Sequence, residues 1–93
     1  MLLSTVAQFK TSKCFSIVGI GQVLTGNIIE GVIDAGYYIQ LDGISYKIDS
    51  VEAVDYVSRG ESETGLIFDV APNEFQTSVA NVLGQIISIT TLP

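Results

Sequence analysis

Apolar and β-branched residues fill the segment from Phe15 to Gly36, and glycine interrupts them five times. The apolar run that begins at Phe15 stops at Gly19 and resumes at Val23, after Gly21. This spacing predicts a strand, a tight turn and a second strand. The five glycines are Gly19, Gly21, Gly26, Gly31 and Gly36. Glycines at this density in strand-forming sequence are typical of turns, bulges and close backbone crossings, so we assign all five a structural role.

Strand-forming residues continue through the middle of the chain. Residues 37–41 precede Asp42–Gly43, and this dipeptide between two β-rich runs is a strong signal for a hairpin turn. In the strand that follows, the apolar spacing changes from two to three after Ile48. The change predicts a bulge near Asp49–Ser50, with the strand continuing to residue 56 or 57.

The last third of the chain predicts a loop, a strand, a helix and a closing strand. Residues 58–64 are polar and predict a loop, whereas residues 65–70 are apolar at nearly every position and predict a strand covered on both faces. Apolar residues recur at helical spacing over Asn73–Leu83, which predicts one short helix with Asn73 as its N-cap. Residues 85–91 predict the last strand.

Six strands of this kind predict an all-β fold, a small closed antiparallel barrel with one short helix before the last strand. Closure would remove the unpaired edges that a small sheet otherwise exposes. At 93 residues the chain predicts one domain. We assign residues 13–91 to the barrel and residues 1–12, which carry little pattern, to an N-terminal lead segment.

The composition predicts a well-packed core and additional apolar residues that remain exposed on the surface. The hydrophobic share is 47%, the charged share is 15% and the mean hydropathy is +0.47. Leftover apolar surface would favour a protein partner or self-association. The net charge is −6, with four Lys and Arg residues against ten Asp and Glu. This balance argues against nucleic acid as a partner and against anionic membranes.

Residue types needed for common catalytic and metal sites are missing from the sequence. The chain contains no histidine and one cysteine, Cys14, which excludes His-based nucleophile pairs, His-based metal sites and an internal disulfide. It has no phosphate-binding loop motif, and the glycines at 19 and 21 lack the third glycine of a dinucleotide fingerprint. We therefore predict no catalytic residue, no cofactor and no metal. The carboxylates Glu52, Asp55, Glu61 and Glu63 are interpreted as solvated surface charges.

The glycine pattern resembles the second domain of the translational GTPases, the β-barrel of elongation factor Tu and its relatives. The resemblance covers residues 14–89 and is densest in the segment from Phe15 to Gly36. The residues that carry it in the first part are Phe15, Ile17, Gly19, Gly21, Val23, Thr25, Gly26, Ile28, Gly31, Gly36 and Ile39. Residues 47–52, 64–66 and 83–87 resemble later strands of the same family.

The resemblance implies one candidate pocket. Ile17 and Glu52 match positions of the pocket in which the family binds the 3′-terminal adenosine of aminoacyl-tRNA, and Leu66 lies in a segment that resembles another part of the family's barrel. We take Ile17, Glu52 and Leu66 as a candidate ligand or partner pocket. Two departures change its polar character, because Asp55 stands where the family has arginine and Lys13 where it has an acidic residue.

Two functions follow as hypotheses. The first is a non-catalytic protein-interaction module, without its own GTPase domain, that docks on a protein or on itself. The alternative is a translation-related factor that contacts the ribosome or tRNA, which the family resemblance favours and the acidic charge opposes. The sequence has neither a basic leader followed by an apolar run nor an apolar run of membrane-spanning length, so we expect a cytoplasmic protein that does not enter membranes.

Overall fold

Strand-forming sequence produces seven strands and one helix in the computed structural model, which describes residues 5–56 and 60–93. In chain order they are β1 (Thr5–Ile17), β2 (Gly21–Gly31), β3 (Tyr38–Leu41), β4 (Ile44–Lys47), β5 (Ser50–Tyr56), β6 (Glu61–Phe68), α1 (Pro72–Ala80) and β7 (Ile86–Thr90). The strands form one antiparallel sheet in the order β4-β3-β7-β1-β2-β6-β5.

The sheet is strongly curled and open, a half-barrel with seven strands, which corrects the prediction of a closed six-stranded barrel. The seventh strand arises because the predicted continuous strand over residues 44–57 is divided into β4 and β5. The division falls at Ile48 and Asp49, close to the predicted bulge. The Ile48 amide donates to the Tyr37 carbonyl at 2.7 Å, and the Asp49 amide donates to the Ile67 carbonyl at 2.7 Å. The chain changes sheet partner at this point, from the β3 side to β6, and β4 and β5 become the two edges.

Residues 5–12 belong to the first strand, which corrects their assignment to a separate lead segment. Ala7, Phe9 and Thr11 are buried, and this alternation is the half-buried strand pattern. β1 pairs with β2 on one side and with β7 on the other, so it lies near the middle of the sheet. Residues 1–4 lie outside the described part of the chain.

Gly26 lies where two backbones come close, as the interior strand glycine predicted. A Cβ atom at this position would overlap the Lys10 carbonyl oxygen and would lie 2.9 Å from Cε2 of Phe9. The other four glycines of the segment have positive φ, with Gly19 at 81°, Gly21 at 130°, Gly31 at 83° and Gly36 at 91°. A side chain at any of the five positions would therefore clash or adopt a strained backbone conformation.

The predicted turn at Asp42–Gly43 joins β3 to β4. Both residues have positive φ, 53° and 77°, as the tightest two-residue hairpin turn requires. Leu41 pairs with Ile44 across the turn, and Ile39 pairs with Tyr46.

The loop, strand and helix of the last third begin and end at different residues than predicted. Residues 61–64, predicted as loop, already belong to β6, while residues 57–59 of that loop and strand end lie outside the described residues. The helix begins with Ala71 as N-cap rather than Asn73, because Pro72 has the backbone geometry of a first helical position. It ends at Ala80, before the predicted Leu83.

The core fills the concave side of the curled sheet, and α1 covers it. Phe75 and Val79 of the helix are fully buried. The Phe75 ring lies 4.9 Å from Tyr46, nearly perpendicular to it, and 4.8 Å from Phe68. The remaining buried members of this core are Ala7, Phe9, Leu24, Ile33, Ile39, Leu41, Ile48, Leu66 and Ile89.

Candidate functional site

The turn between β1 and β2 presents an apolar surface to solvent. We call residues 17–21 the hairpin tip. Val18 is fully exposed at 102%, Ile20 is 49% exposed and Ile17 is 39% exposed. The turn is closed by the Ile20 amide, which donates to the Ile17 carbonyl at 3.0 Å, and Gly19 supplies the left-handed conformation at φ 81°.

A polar network holds the base of this hairpin. The Ser16 hydroxyl donates to Oε1 of Gln22 at 2.9 Å across the β1–β2 pair. Nε2 of Gln76, on α1, donates to both the Ser16 hydroxyl and Oε1 of Gln22 at 2.9 Å. Gln22 is buried, so these bonds also satisfy a polar group away from water. The helix therefore fixes the base from which the hairpin tip projects.

A second polar cluster spans β1, β2, β5 and β6, on the face of the sheet opposite the one that carries Leu24 and Leu66. Nζ of Lys13 lies 4.2 Å from the centre of the Tyr56 ring. The Tyr56 hydroxyl donates to Oε1 of Glu63 at 2.8 Å. The Lys13 amide donates to the Thr25 hydroxyl at 3.2 Å. Glu63 is therefore a hydrogen-bonded member of a cross-strand cluster, which corrects its interpretation as a solvated loop charge.

This cluster keeps the Glu63 carboxylate ionised. Burial by itself raises the pKa of Glu63, but hydrogen bonds from Tyr56, Ser12 and Thr25 and the charge of Lys13 outweigh it and hold the pKa below the ordinary value. A carboxylate in this state is a poor proton donor at neutral pH. Its chemistry is that of a fixed acceptor that joins neighbouring strands.

The three residues of the predicted pocket lie apart. Leu66 is fully buried and pairs with Val51 on β5, inside the core. Glu52 follows Val51 along the same strand, is exposed and lies opposite Gly65, so it belongs to the other face of the sheet. Ile17 is at the hairpin tip, at the far end of β1. The sequence predicted Ile17 as an apolar wall residue of a pocket with Glu52 and Leu66, whereas the structure does not bring the three together.

Two surface cavities are lined by other residues. The first has a volume of about 320 Å³ and lies between the start of β1 and the end of β2, with Thr5, Val6, Ala7, Gln8, Glu30 and Gly31 as its lining. The second, of about 190 Å³, is lined by Lys47, Asp49, Asp69 and Val70. Neither cavity includes Ile17, Glu52 or Leu66.

Cys14 packs against the core from β1 and is half-buried. Burial raises the pKa of its thiol, so the neutral form dominates at neutral pH. Over residues 5–56 and 60–93, no group of three or more His, Cys, Asp or Glu residues is arranged to hold a metal ion. No helix of the same residues is long and apolar enough to cross a membrane.

No family model matches the chain, and searches of curated proteins and of solved structures found no similar protein. The resemblance to the translation-factor barrel stays a prediction from sequence.

The composition of the hairpin tip is unusual for a turn, and the prediction of a simple turn did not use this signal. Turns are usually rich in Gly, Pro, Asn, Asp and Ser. Here Val18 and Ile20 alternate with the turn glycines, and neither side chain is needed for the turn geometry. Both side chains are therefore left exposed without a role in the turn itself.

Proposed function

We propose that this protein is a non-catalytic protein-interaction module whose hairpin tip inserts into an apolar recess of a partner. The observation that carries the proposal is the full exposure of Val18, flanked by the exposed Ile17 and Ile20. Scattered exposed apolar residues are ordinary, whereas here three fall within four positions of one short turn.

The support beneath the tip favours binding without large rearrangement. Ser16, Gln22 and Gln76 form a closed set of hydrogen bonds between the hairpin and the helix. A recognition element on a rigid base loses little conformational entropy when it binds. Apolar side chains on such a base are suited to act as anchors in a partner's pocket.

We propose also that the half-barrel is a variant of the translation-factor second domain, with the curl close to that of a closed barrel. The glycine pattern from Phe15 to Gly36 supports this. So does the direct chain connection between the two edge strands, in which Ile48 bonds towards β3 and Asp49 towards β6. An experimental structure in which residues 44–56 form one straight strand, without the change of partner from Tyr37 to Ile67 at Ile48 and Asp49, would contradict it.

Site-specific photo-crosslinking tests the interaction function. A benzophenone amino acid replaces Val18 in one variant and Glu74, an exposed residue of the first helical turn, in a matched control. We expect a discrete protein adduct from position 18 and none of the same size from position 74. Adding Ile20→Ser to the first variant should lower the adduct yield several-fold while the melting temperature stays unchanged, because Ile20 lies outside the core.

The adducts also distinguish the kinds of partner. An adduct of twice the chain mass indicates self-association, which light scattering of the purified chain checks. Adducts with ribosomal proteins would favour the alternative of a translation-related factor. Identical adducts from positions 18 and 74 would show that the tip is not a recognition surface. So would an adduct yield at position 18 that Ile20→Ser leaves unchanged.

A further inference from the structure

The second half of β2 is an exposed sheet edge. We call residues 27–31 the β2 edge. β1 pairs with it on one side, from Lys10↔Asn27 to Ala7↔Gly31. On the other side the pairing with β6 stops at Gly26, and within the described residues no other backbone segment bonds to residues 27–31. All five residues are exposed, whereas residues 22–26 of the same strand are buried.

Two consecutive isoleucines make this edge apolar. Ile28 is 39% exposed and Ile29 is 51% exposed. Ile29 is an extra residue in the ladder, because Gln8 pairs with Glu30 and Phe9 already pairs with Ile28. Such a bulge is one means of protecting an edge from pairing. The other common means, lysine or proline on the edge itself, are missing from residues 27–31.

We propose that the β2 edge takes up an extended peptide segment of a partner protein as an added strand, and that this segment carries apolar residues together with lysine or arginine. The inference rests on the proposed interaction function but concerns a different surface from the hairpin tip. In strand addition, main-chain hydrogen bonds provide affinity and alternate side chains provide specificity.

The size of the edge suits a peptide better than a second copy of the chain. Five residues of strand extend about 17 Å and offer one row of backbone groups. A stable pair of folded chains usually buries about 1,600 Å² in total, more than one short strand pair provides. Two copies would also each bring a net charge of −6 to the contact.

Charge and shape at the end of the edge favour a basic side chain. Glu30 is exposed, and it lines the cavity of about 320 Å³ together with Val6 and Ala7. A lysine or arginine can lay its apolar stem against such a wall and bring its charge to a carboxylate. Asp34, exposed shortly after the edge, adds a second negative charge.

Peptide binding tests the inference directly. The probe is a fluorescent-labelled synthetic peptide of alternating valine and lysine with blocked ends, and binding is followed by anisotropy at moderate salt. Two control peptides have glutamate in place of lysine, or N-methyl groups on alternate residues along one edge. We expect the lysine peptide to bind at least ten-fold more tightly than either control. Hydrogen exchange should show new amide protection within residues 27–31 and not at β4, the edge of β3.

Matched protein variants locate the site. Ile29→Gln should weaken the lysine peptide several-fold, whereas Ile86→Gln, at a residue with a similar exposure of 55% on β7, should not. Glu30→Lys should weaken the lysine peptide and strengthen the glutamate peptide. Circular dichroism and melting temperature confirm that each variant is folded.

Equal binding of the three peptides, or no binding of the lysine peptide at millimolar concentration, would overturn the inference. So would a dimer of the unliganded chain that Ile29→Gln dissolves, since the edge would then belong to a second copy. Crosslinking at position 18 is independent of this edge. If the peptide does not bind but position 18 gives crosslinked adducts, the proposed function stands. If the peptide binds but position 18 gives no adduct, only the role of the hairpin tip is rejected.

Discussion

The Tyr56 hydroxyl donates a hydrogen bond to Glu63 at 2.8 Å, from one strand of the β5–β6 hairpin to the other. Lys13, two strands further along the sheet, lies over the same tyrosine ring at 4.2 Å. An apolar ring thus has an acceptor for its polar end and a cation on its face, two contacts that each stabilise by roughly 0.5–1 kcal/mol at exposed sites. This face of the sheet is therefore held by side chains as well as by the backbone ladder.

Glu63→Gln should lower the stability of the folded protein at neutral pH, and the difference from the parent should disappear in acid. The folded-state pKa of Glu63 is lowered, so its stabilisation is fully present above the unfolded-state pKa and disappears as the pH falls through the folded-state value. We expect a loss of about 1 kcal/mol or less at pH 7, since the carboxylate is partly solvated. Thermal melts of the variant and the parent should converge as the pH falls towards about 2.

Glu52→Gln is the matched control for this titration, because Glu52 is an exposed carboxylate on the adjacent strand β5. The difference between this control and the parent should be small at neutral pH, because the side chain is exposed. A gap between Glu63→Gln and the parent that is constant from neutral to acid pH would show that the ionised carboxylate is not what stabilises the cluster.

Gly26→Ala should be strongly destabilising. The added methyl group would overlap the Lys10 carbonyl oxygen and press on the Phe9 ring, so the β1–β2 ladder has to separate at its centre. We expect a loss of about 3 kcal/mol or more in urea denaturation, in the range of severe overpacking. Gly36→Ala is the control, since a Cβ there meets nothing within 4 Å and only the left-handed φ of 91° is strained, at about 1–2 kcal/mol. Equal losses for the two variants would contradict the close crossing.

Local signals explain why much of this fold could be predicted. The four positive-φ glycines of the segment from Phe15 to Gly36, and Asp42–Gly43, act through their own backbone conformation, which the neighbouring sequence reveals. The buried face of α1 also follows from local spacing, because Phe75 and Val79 are one turn apart. The role of each of these residues can be recognised from the nearby sequence, without knowing a partner far along the chain.

The remaining features depend on partners far along the chain. Residues 5–10 pair with β7, some 80 residues later, as well as with β2, and nothing in their own pattern reveals the β7 neighbour. The division between β4 and β5 depends on Tyr37 and Ile67. Their carbonyl groups accept hydrogen bonds from the backbone amides of Ile48 and Asp49, respectively. The same reasoning explains why the candidate pocket residues lie apart, since strand register decides that Leu66 and Glu52 lie on opposite faces.

Phe75→Ala should detach the helix from the core. The ring is fully buried between Tyr46 and Phe68, and its removal leaves a cavity that the rigid sheet cannot fill. We expect a loss of about 3–5 kcal/mol in urea denaturation. Thr77→Ala, on the exposed side of the same helix, should change stability by about 0.5 kcal/mol or less. A small effect of Phe75→Ala would mean that α1 contributes little to the packed core.

Cys14 should react slowly with thiol reagents in the folded protein. Burial raises the pKa of its thiol, so the thiolate that attacks the reagent is scarce at pH 8, and access from solvent is partial as well. We expect a reaction with a disulfide reagent at least ten-fold slower in buffer than in urea, with a pH midpoint above the ordinary value of about 8.5.

The same raised pKa makes a prediction about stability in alkali, with Cys14→Ala as the reference. A group whose folded-state pKa is raised stabilises fully below the unfolded-state pKa and stops doing so as the pH rises through the folded-state pKa. The stability advantage of the parent over Cys14→Ala should therefore shrink between neutral pH and about pH 10. An advantage that is independent of pH, together with equal reaction rates in buffer and urea, would place the thiol in water. The packing of β1 against the core at this position would then have to be redrawn, because a solvated Cys14 could not lie on the same face as Leu24, its partner in the β1–β2 register.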